Sequence, residues 1–330
     1  MKSWTLILGV VLFGVAAAAQ SAPTAPALAA GNVDVRPVTL PFDPPTGTDI
    51  RYRFEKRTER QGQVELLESQ DRLRFAANGN GYTLTWASEN VRVTAPGPMQ
   101  RILQRMYQDL SVKPVTIILT AAGQPVDLEG LVDWRALSTQ ALTNLTGDVD
   151  TIFADAPAAM RDRLRQMMQG IADMQAKQSD AQFKTEMLQT SQILLQKNRP
   201  LKPGVPELLQ GEAPLSFGTG QIPVLIKLEL TDYKPGQSAR IVLSSAAEPK
   251  ALANAMQNFI KALLDKITDP AGRAEAEAAI AKLPPPQLTE EVIQEIRLPS
   301  GLPDRVEYRK SIAIPGEPPR NETQIFERLP

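Results

Sequence analysis

Two missing residue types limit the chemistry open to this chain, because its 330 residues include no histidine and no cysteine. Ser-His-Asp and Cys-His catalysis are therefore excluded, and so are zinc sites built on histidine or cysteine. Carboxylate, lysine and hydroxyl chemistry remain open. The sequence contains no Ser-x-x-Lys pair, no Gly-x-Ser-x-Gly nucleophile turn and no phosphate-binding glycine loop. We therefore predict a protein that is not an enzyme and binds no cofactor.

The remaining candidates for chemistry are acidic. Asp127 and Glu129 stand two positions apart, close enough in sequence to share one face of a strand, where two carboxylates could act as acid and base. Nothing in the sequence places them in a cleft, so we assign no catalytic residue. Asp148 and Asp150 suggest a calcium loop, but apolar residues at 152 and 153 interrupt the alternation of oxygen ligands that such a loop needs. Helix capping explains these aspartates better, and we predict no metal site.

Methionines at helical spacing are the most distinctive feature of the sequence. Met160, Leu164, Met167, Ile171 and Met174 follow one another at steps of four, three, four and three residues, and Phe183 and Met187 continue the pattern on a second helix. Methionine is flexible and suits surfaces that accept varied apolar partners. The candidate ligand-binding residues are accordingly Met160, Leu164, Met167, Met174, Phe183 and Met187. Ordinary core packing between helices is the alternative, and it is the more common use of such a stripe.

These helices need a surface to cover, and residues 50–93 supply one. Ile50, Tyr52 and Phe54 alternate with charged residues, a period of two that predicts a half-buried antiparallel sheet. Residues 78–81, Asn-Gly-Asn-Gly, predict a hairpin turn. The arginines of these strands could form a basic surface, but interspersed glutamates favour ion pairs between strands.

The rest of the chain alternates between blocks of strand and blocks of helix, without a βαβ repeat. This pattern predicts an α+β fold with one or more curved antiparallel sheets, an inserted helical hairpin block and covering helices. Strands are predicted at 115–120, 126–128, 222–230, 239–244, 288–298, 305–314 and 322–329. Helices are predicted at 98–110, 134–198 and from 249, with a short alanine-rich helix after 269, and a proline-rich linker at 200–214.

The N-terminal residues predict export. Lys2, an apolar run from 5 to 15 and small residues at 17–19 are typical of a secretory signal peptide, with cleavage near Ala19/Gln20. We expect a signal peptide at 1–19, an Ala/Pro-rich tether at 20–45, and a single α+β domain at 46–330 with a helical insertion at 134–198. Because no cysteine could carry a lipid anchor and no second long apolar stretch follows, we expect a soluble periplasmic protein.

Charge and composition narrow the choice of partners. The net charge of −1 shows no basic field, so nucleic acid is not an expected partner. Our first hypothesis is a non-enzymatic periplasmic protein that binds an apolar ligand such as a lipid, or a client polypeptide, on a sheet covered by helices. Periplasmic lipid and lipoprotein carriers share that general architecture. The alternative is an envelope adaptor that docks a protein partner through its helical block.

Overall fold

A computed structural model describes residues 36–97, 99–195, 199–214, 221–264, 286–313 and 318–330. These residues form one antiparallel sheet of eleven strands with five helices. The strands are β1 (Asp49–Arg60), β2 (Gln63–Asn78), β3 (Gly81–Thr94), β4 (Val115–Leu119), β5 (Pro125–Leu128), β6 (Glu207–Pro214), β7 (Gln221–Lys234), β8 (Ser238–Ala247), β9 (Gln287–Arg297), β10 (Leu302–Ala313) and β11 (Arg320–Arg328). The helices are α1 (Met99–Leu110), α2 (Leu131–Ile152), α3 (Ala158–Lys177), α4 (Asp180–Leu194) and α5 (Pro249–Leu264).

The strand order is β5-β4-β3-β2-β1-β11-β10-β9-β8-β7-β6, so the sheet is not closed. The chain starts in the middle of the sheet at β1 and moves outward to β5 at one edge. Helices α2, α3 and α4 then carry it to β6 at the opposite edge, and strands β7 to β11 return it to pair with β1. The helical connection therefore has to cross the sheet.

One face of the sheet is buried, and the alternation in the sequence determines which face. In β1, Ile50 and Tyr52 are buried while Arg51 and Arg53 are exposed. The register places Leu73 of β2 opposite Ile50, so the apolar side chains of neighbouring strands form one continuous surface. Each large apolar side chain removed from water in this way contributes about 1.5–3 kcal/mol. The predicted antiparallel sheet is confirmed.

The hairpin predicted at residues 78–81 is also confirmed. Asn78 pairs with Gly81, and Gly79 between them has a φ of 57°. Two-residue hairpin turns need positive φ at their first central residue to match the twist of the strands, which explains the glycine at position 79.

Helix α4 lies on the buried face. It begins with a capping box between Ser179 and Gln182 and buries Phe183 and Leu188 in the main core. Helices α2 and α3 pack against each other, and Arg135 of α2 donates to the carbonyl of Gln178, just before α4. Helix α5 packs on the other half of the same face, over strands β7 and β9. None of the described helices combines the length and apolar character that a membrane crossing requires.

Two details differ from the sequence predictions. The segment predicted as a linker includes strand β6. This strand directly follows Pro206 and ends at Pro214, and these two prolines led to the prediction of a linker. The segment predicted to be helical from 134 begins at Leu131 and comprises three helices, where two had been predicted. The predicted signal peptide, most of the tether and the alanine-rich helix after 269 lie outside the described residues.

The end of α4 gives a test of how this helix is held on the sheet. The side-chain amide of Gln294, on β9, donates to the carbonyl of Ile193 at 2.8 Å, and both residues are buried. The last carbonyls of a helix have no partner within it. Gln294→Ala should therefore lower the free energy of unfolding by about 1–3 kcal/mol in chemical denaturation. Gln287→Ala, at an exposed position of the same strand, is the matched control. Equal stability of the two variants would contradict this role for Gln294.

Candidate ligand-binding cavity

A cavity of about 370 Å³ lies between the sheet and helices α1, α2 and α4. Its volume falls within the range of roughly 300–1,000 Å³ that is typical of small-molecule sites. Strands β1 to β4 and β11 form the floor, and the three helices form the roof. Most of the apolar lining is aromatic or branched, and it includes Phe54, Leu67, Trp86, Val91, Tyr107, Ile117 and Trp134.

A β-bulge shapes the floor of the cavity. The pairing of β2 with β3 shifts between Glu68 and Gln70, and Asn90 on β3 adopts a φ of 56°. Because the bulge adds one residue to β3, Ser88 before it and Val91 after it both face the cavity.

Helix α1 is fastened to that bulged strand by one glutamine. The side chain of Gln104 accepts a hydrogen bond from the N–H of Val93 at 2.9 Å and donates one to the carbonyl of Val91 at 3.2 Å. Backbone groups of β3 thus find partners on the helix. This contact places Tyr107 of α1 over the cavity.

The aromatic side chains come from separate elements of the fold. Phe54 and Trp86 both pack on the buried ring of Phe326, with ring centroids 4.7 and 6.0 Å from it. Tyr107 and Trp134 approach from helices α1 and α2. This part of the cavity wall is therefore aromatic and apolar, which suits the apolar part of a ligand.

Asp71 is the least expected member of the lining. Its position on β2 faces the buried side, and the residue is 3% exposed. The hydroxyl of Ser69 donates to its Oδ1 at 2.8 Å, and Ser88 and Trp86 also donate to the carboxyl group. Burial raises the pKa of Asp71 above its ordinary value, and these hydrogen bonds oppose the shift only in part.

The other charged groups at the cavity differ in their pairing. Lys56 pairs with Glu322 at 3.1 Å, and Lys113 pairs with Asp133 at 2.9 Å. Glu186, on α4, accepts a hydrogen bond from the side-chain amide of Gln178 at 2.6 Å. Burial raises the pKa of Glu186 as well, although this residue keeps contact with solvent.

A row of buried charges continues from the cavity across the sheet. Glu322 lies opposite Lys310, which lies opposite Glu290 on the next strand. Lys310 approaches Glu290 at 3.8 Å, and the hydroxyl of Tyr308 donates to Glu290 at 3.0 Å. Burial alone would raise the pKa of Glu322, but the nearby Lys56 reverses the shift and the pKa is lowered. Lysine and glutamate alternate, so each buried charge of the row has an opposite neighbour.

The predicted ligand-binding residues fall in three places. Phe183 is buried in the main core, and Met187, one turn further along α4, lines the cavity. Leu164 packs in a separate cluster between α2 and α3, together with Val149 and Met168. Met160, Met167 and Met174 belong to α3, and their side chains lie outside the described part of the structure.

The acidic candidates from the sequence lie away from the cavity. Asp127 and Glu129 are both exposed, and Asp127 pairs with Lys184 at 3.2 Å. Asp150 pairs with Arg161 and Arg165 at 3.1 and 2.6 Å. These contacts describe carboxylates engaged in ion pairs at the surface.

A second concave region, of about 740 Å³, lies on the exposed face over β1 and β7 to β11. Its lining is polar and charged, with ion pairs such as Arg309 with Glu291 at 3.0 Å. The aromatic residues that line the first cavity have no counterpart among the residues lining this one. The cavity under the helices is therefore the better candidate for a ligand site.

Comparison with known proteins adds little. No protein-family model and no curated protein matches the chain. The chain is similar to a solved structure described as lipid-protein interactions in lipovitellin, with 12% identity and a TM-score of 0.39. The match covers 87% of this chain and 25% of the lipovitellin chain. A likeness of this strength carries no argument about function.

The raised pKa of Asp71 predicts how stability depends on pH. The folded state binds this proton more tightly than the unfolded state, so the stabilisation is full below pH 3.8 and falls as the pH rises through the folded pKa. Asp71→Asn has no carboxyl group to ionise, so its stability does not fall in this way. We expect the free energy of unfolding of the variant, measured in urea, to rise relative to that of the wild type as the pH increases from 3.5 to 7.

Asp127→Asn is the matched control for this measurement. The N–H of Leu128 and the ammonium of Lys184 lower the pKa of Asp127, so its contribution to stability is present at pH 7 and lost in acid. The control should therefore lose stability relative to the wild type as the pH rises. If both variants change in the same direction, the burial of Asp71 does not govern its titration.

Proposed function

We propose that the protein is an exported, non-enzymatic carrier that holds an apolar ligand of the lipid class in the cavity beneath α1, α2 and α4. The observation that carries this proposal is the cavity itself, which has aromatic and branched apolar side chains in its walls between the sheet and the helices. Export to the periplasm is supported by the signal-peptide pattern of residues 1–19. The absence of histidine and cysteine supports a role in binding rather than catalysis.

The exposed members of the lining indicate how a ligand would enter. Lys113, in the loop after α1, and Glu186 and Thr190, on α4, all face the cavity while remaining exposed. The opening therefore lies between that loop and α4. Movement of α4 relative to the loop would widen the opening without breaking the pairing of the sheet.

A bulky substitution at the opening tests the carrier proposal. Thr190→Trp fills the entrance and should weaken ligand binding by about ten-fold or more. Thr143→Trp, at an exposed position of α2 outside the cavity lining, is the control. The measurement is native mass spectrometry of detergent-free protein, followed by solvent extraction and lipid analysis. The carrier proposal fails if the wild type holds no lipid and takes up none when lipid is added.

A second candidate is the envelope adaptor, and two exposed valines favour it. Val112 and Val132 are 72% and 79% exposed, and they adjoin the ion pair between Lys113 and Asp133. Two exposed apolar side chains next to a charged pair could form the centre of a small docking surface with a polar rim.

Val132→Glu should then abolish co-purification of an envelope protein while leaving lipid uptake unchanged. Val64→Glu, at a less exposed valine on β2, is the control and should retain the partner. Capture that is equal in both variants would argue against docking at this surface.

A further inference from the structure

The charges around the cavity do not balance. Its two lysines already have carboxylate partners, Glu322 for Lys56 and Asp133 for Lys113. Asp71 and Glu186 face the same space, and neither has an ion pair with any of the described residues. The hydrogen-bond donors to both carboxyl groups are neutral. The cavity therefore contains two carboxyl groups that have no cationic partner among the described residues.

Asp71 provides the stronger of these two observations. It is 3% exposed, and an ionised carboxylate at such a position is costly unless a cation accompanies it. Ser69 and Trp86 nevertheless hold the carboxyl group in place with hydrogen bonds. An apolar side chain at this position would leave these donors without an acceptor, so the carboxyl group is a fixed part of the cavity wall.

The surrounding aromatic residues indicate the kind of cation. Trp86, which donates to Asp71, lines the cavity together with Phe54, Tyr107 and Trp134. Aromatic faces attract ammonium groups, and the attraction grows when the site excludes water. An acidic group beside several aromatic rings is the usual arrangement for binding an alkylated ammonium ion.

We propose that the ligand carries a cationic nitrogen, either an ammonium or a quaternary ammonium group, joined to an apolar body, and that Asp71 is its counter-ion. This inference rests on the proposed function, because it concerns the same cavity. An anionic headgroup would meet the carboxyl groups of Asp71 and Glu186, while the charges of Lys56 and Lys113 are already compensated. The aromatic walls would hold the apolar body.

Three amphiphiles with the same eight-carbon chain test the inference: octyltrimethylammonium, octanesulfonate and octyl glucoside. Binding can be followed by calorimetry and by the fluorescence of Trp86 and Trp134, which both line the cavity. The wild type should bind octyltrimethylammonium most tightly. Asp71→Asn should weaken that binding by about ten-fold or more and leave the affinity for octyl glucoside unchanged.

Asp127→Asn removes the same charge at an exposed position outside the cavity and should bind all three amphiphiles like the wild type. Circular dichroism checks the fold of each variant. If Asp71→Asn does not fold, Glu186→Gln replaces it and should also reduce the preference for the cationic amphiphile.

The outcomes separate this inference from the carrier proposal. If octyl glucoside binds and octyltrimethylammonium binds no more tightly, or if the carboxyl variants keep full affinity for the cation, the counter-ion inference is wrong and the carrier proposal stands. Tighter binding of octanesulfonate would have the same meaning. If none of the three amphiphiles binds, the counter-ion inference is wrong, and the carrier proposal is decided by whether the wild type holds or takes up lipid.

Discussion

The pairing of the first strand with the last strand is the constraint on which the rest of the structure depends. Strands β1 and β11 lie side by side in the middle of the sheet. The first half of the chain therefore runs outward from β1 to one edge, and the second half returns from the other edge to β11. The single connection between the two edges must then span the whole sheet. Helices α2 to α4 provide it, and the same connection that solves the topological problem also covers the buried face and encloses the cavity.

That buried face is unusual because it includes charged side chains among its apolar ones. Lys310 and Glu290 are each 6% exposed, and their opposite charges face each other across neighbouring strands. Such pairs contribute little net stability after desolvation, but a slip in strand register would leave each charge without its partner. Asp71 lies on the same face, at the cavity, and has no cationic partner among the described residues. This contrast is the reason why we assign Asp71, rather than the pair of Lys310 and Glu290, to the proposed ligand.

The sequence was informative wherever a local rule was sufficient. The alternation around Ile50 and the glycines of the hairpin between β2 and β3 predicted the strands, because these signals act between near neighbours. The cavity was beyond such rules. Asp71 and Lys56 occupy inward-facing positions of their strands. The alternation of the strands, applied to every residue and not only to the apolar ones, would have identified them as charged residues on the buried face. The path of α4 across the sheet could not be predicted, because it depends on contacts between residues far apart in the chain, such as Gln294 and Ile193.

The strands at the two edges of the sheet have a consequence for how the molecule behaves at high concentration. An unclosed sheet presents backbone groups that can pair with another copy and begin a chain of sheets. Here β5 is only four residues long and starts at Pro125, and β6 ends at Pro214 directly after Gly211, Glu212 and Ala213. Short length, proline and an acidic side chain all disfavour growth by edge-to-edge addition. The protein can thus keep an open sheet, covered by helices on one face only, and still resist edge-to-edge polymerisation.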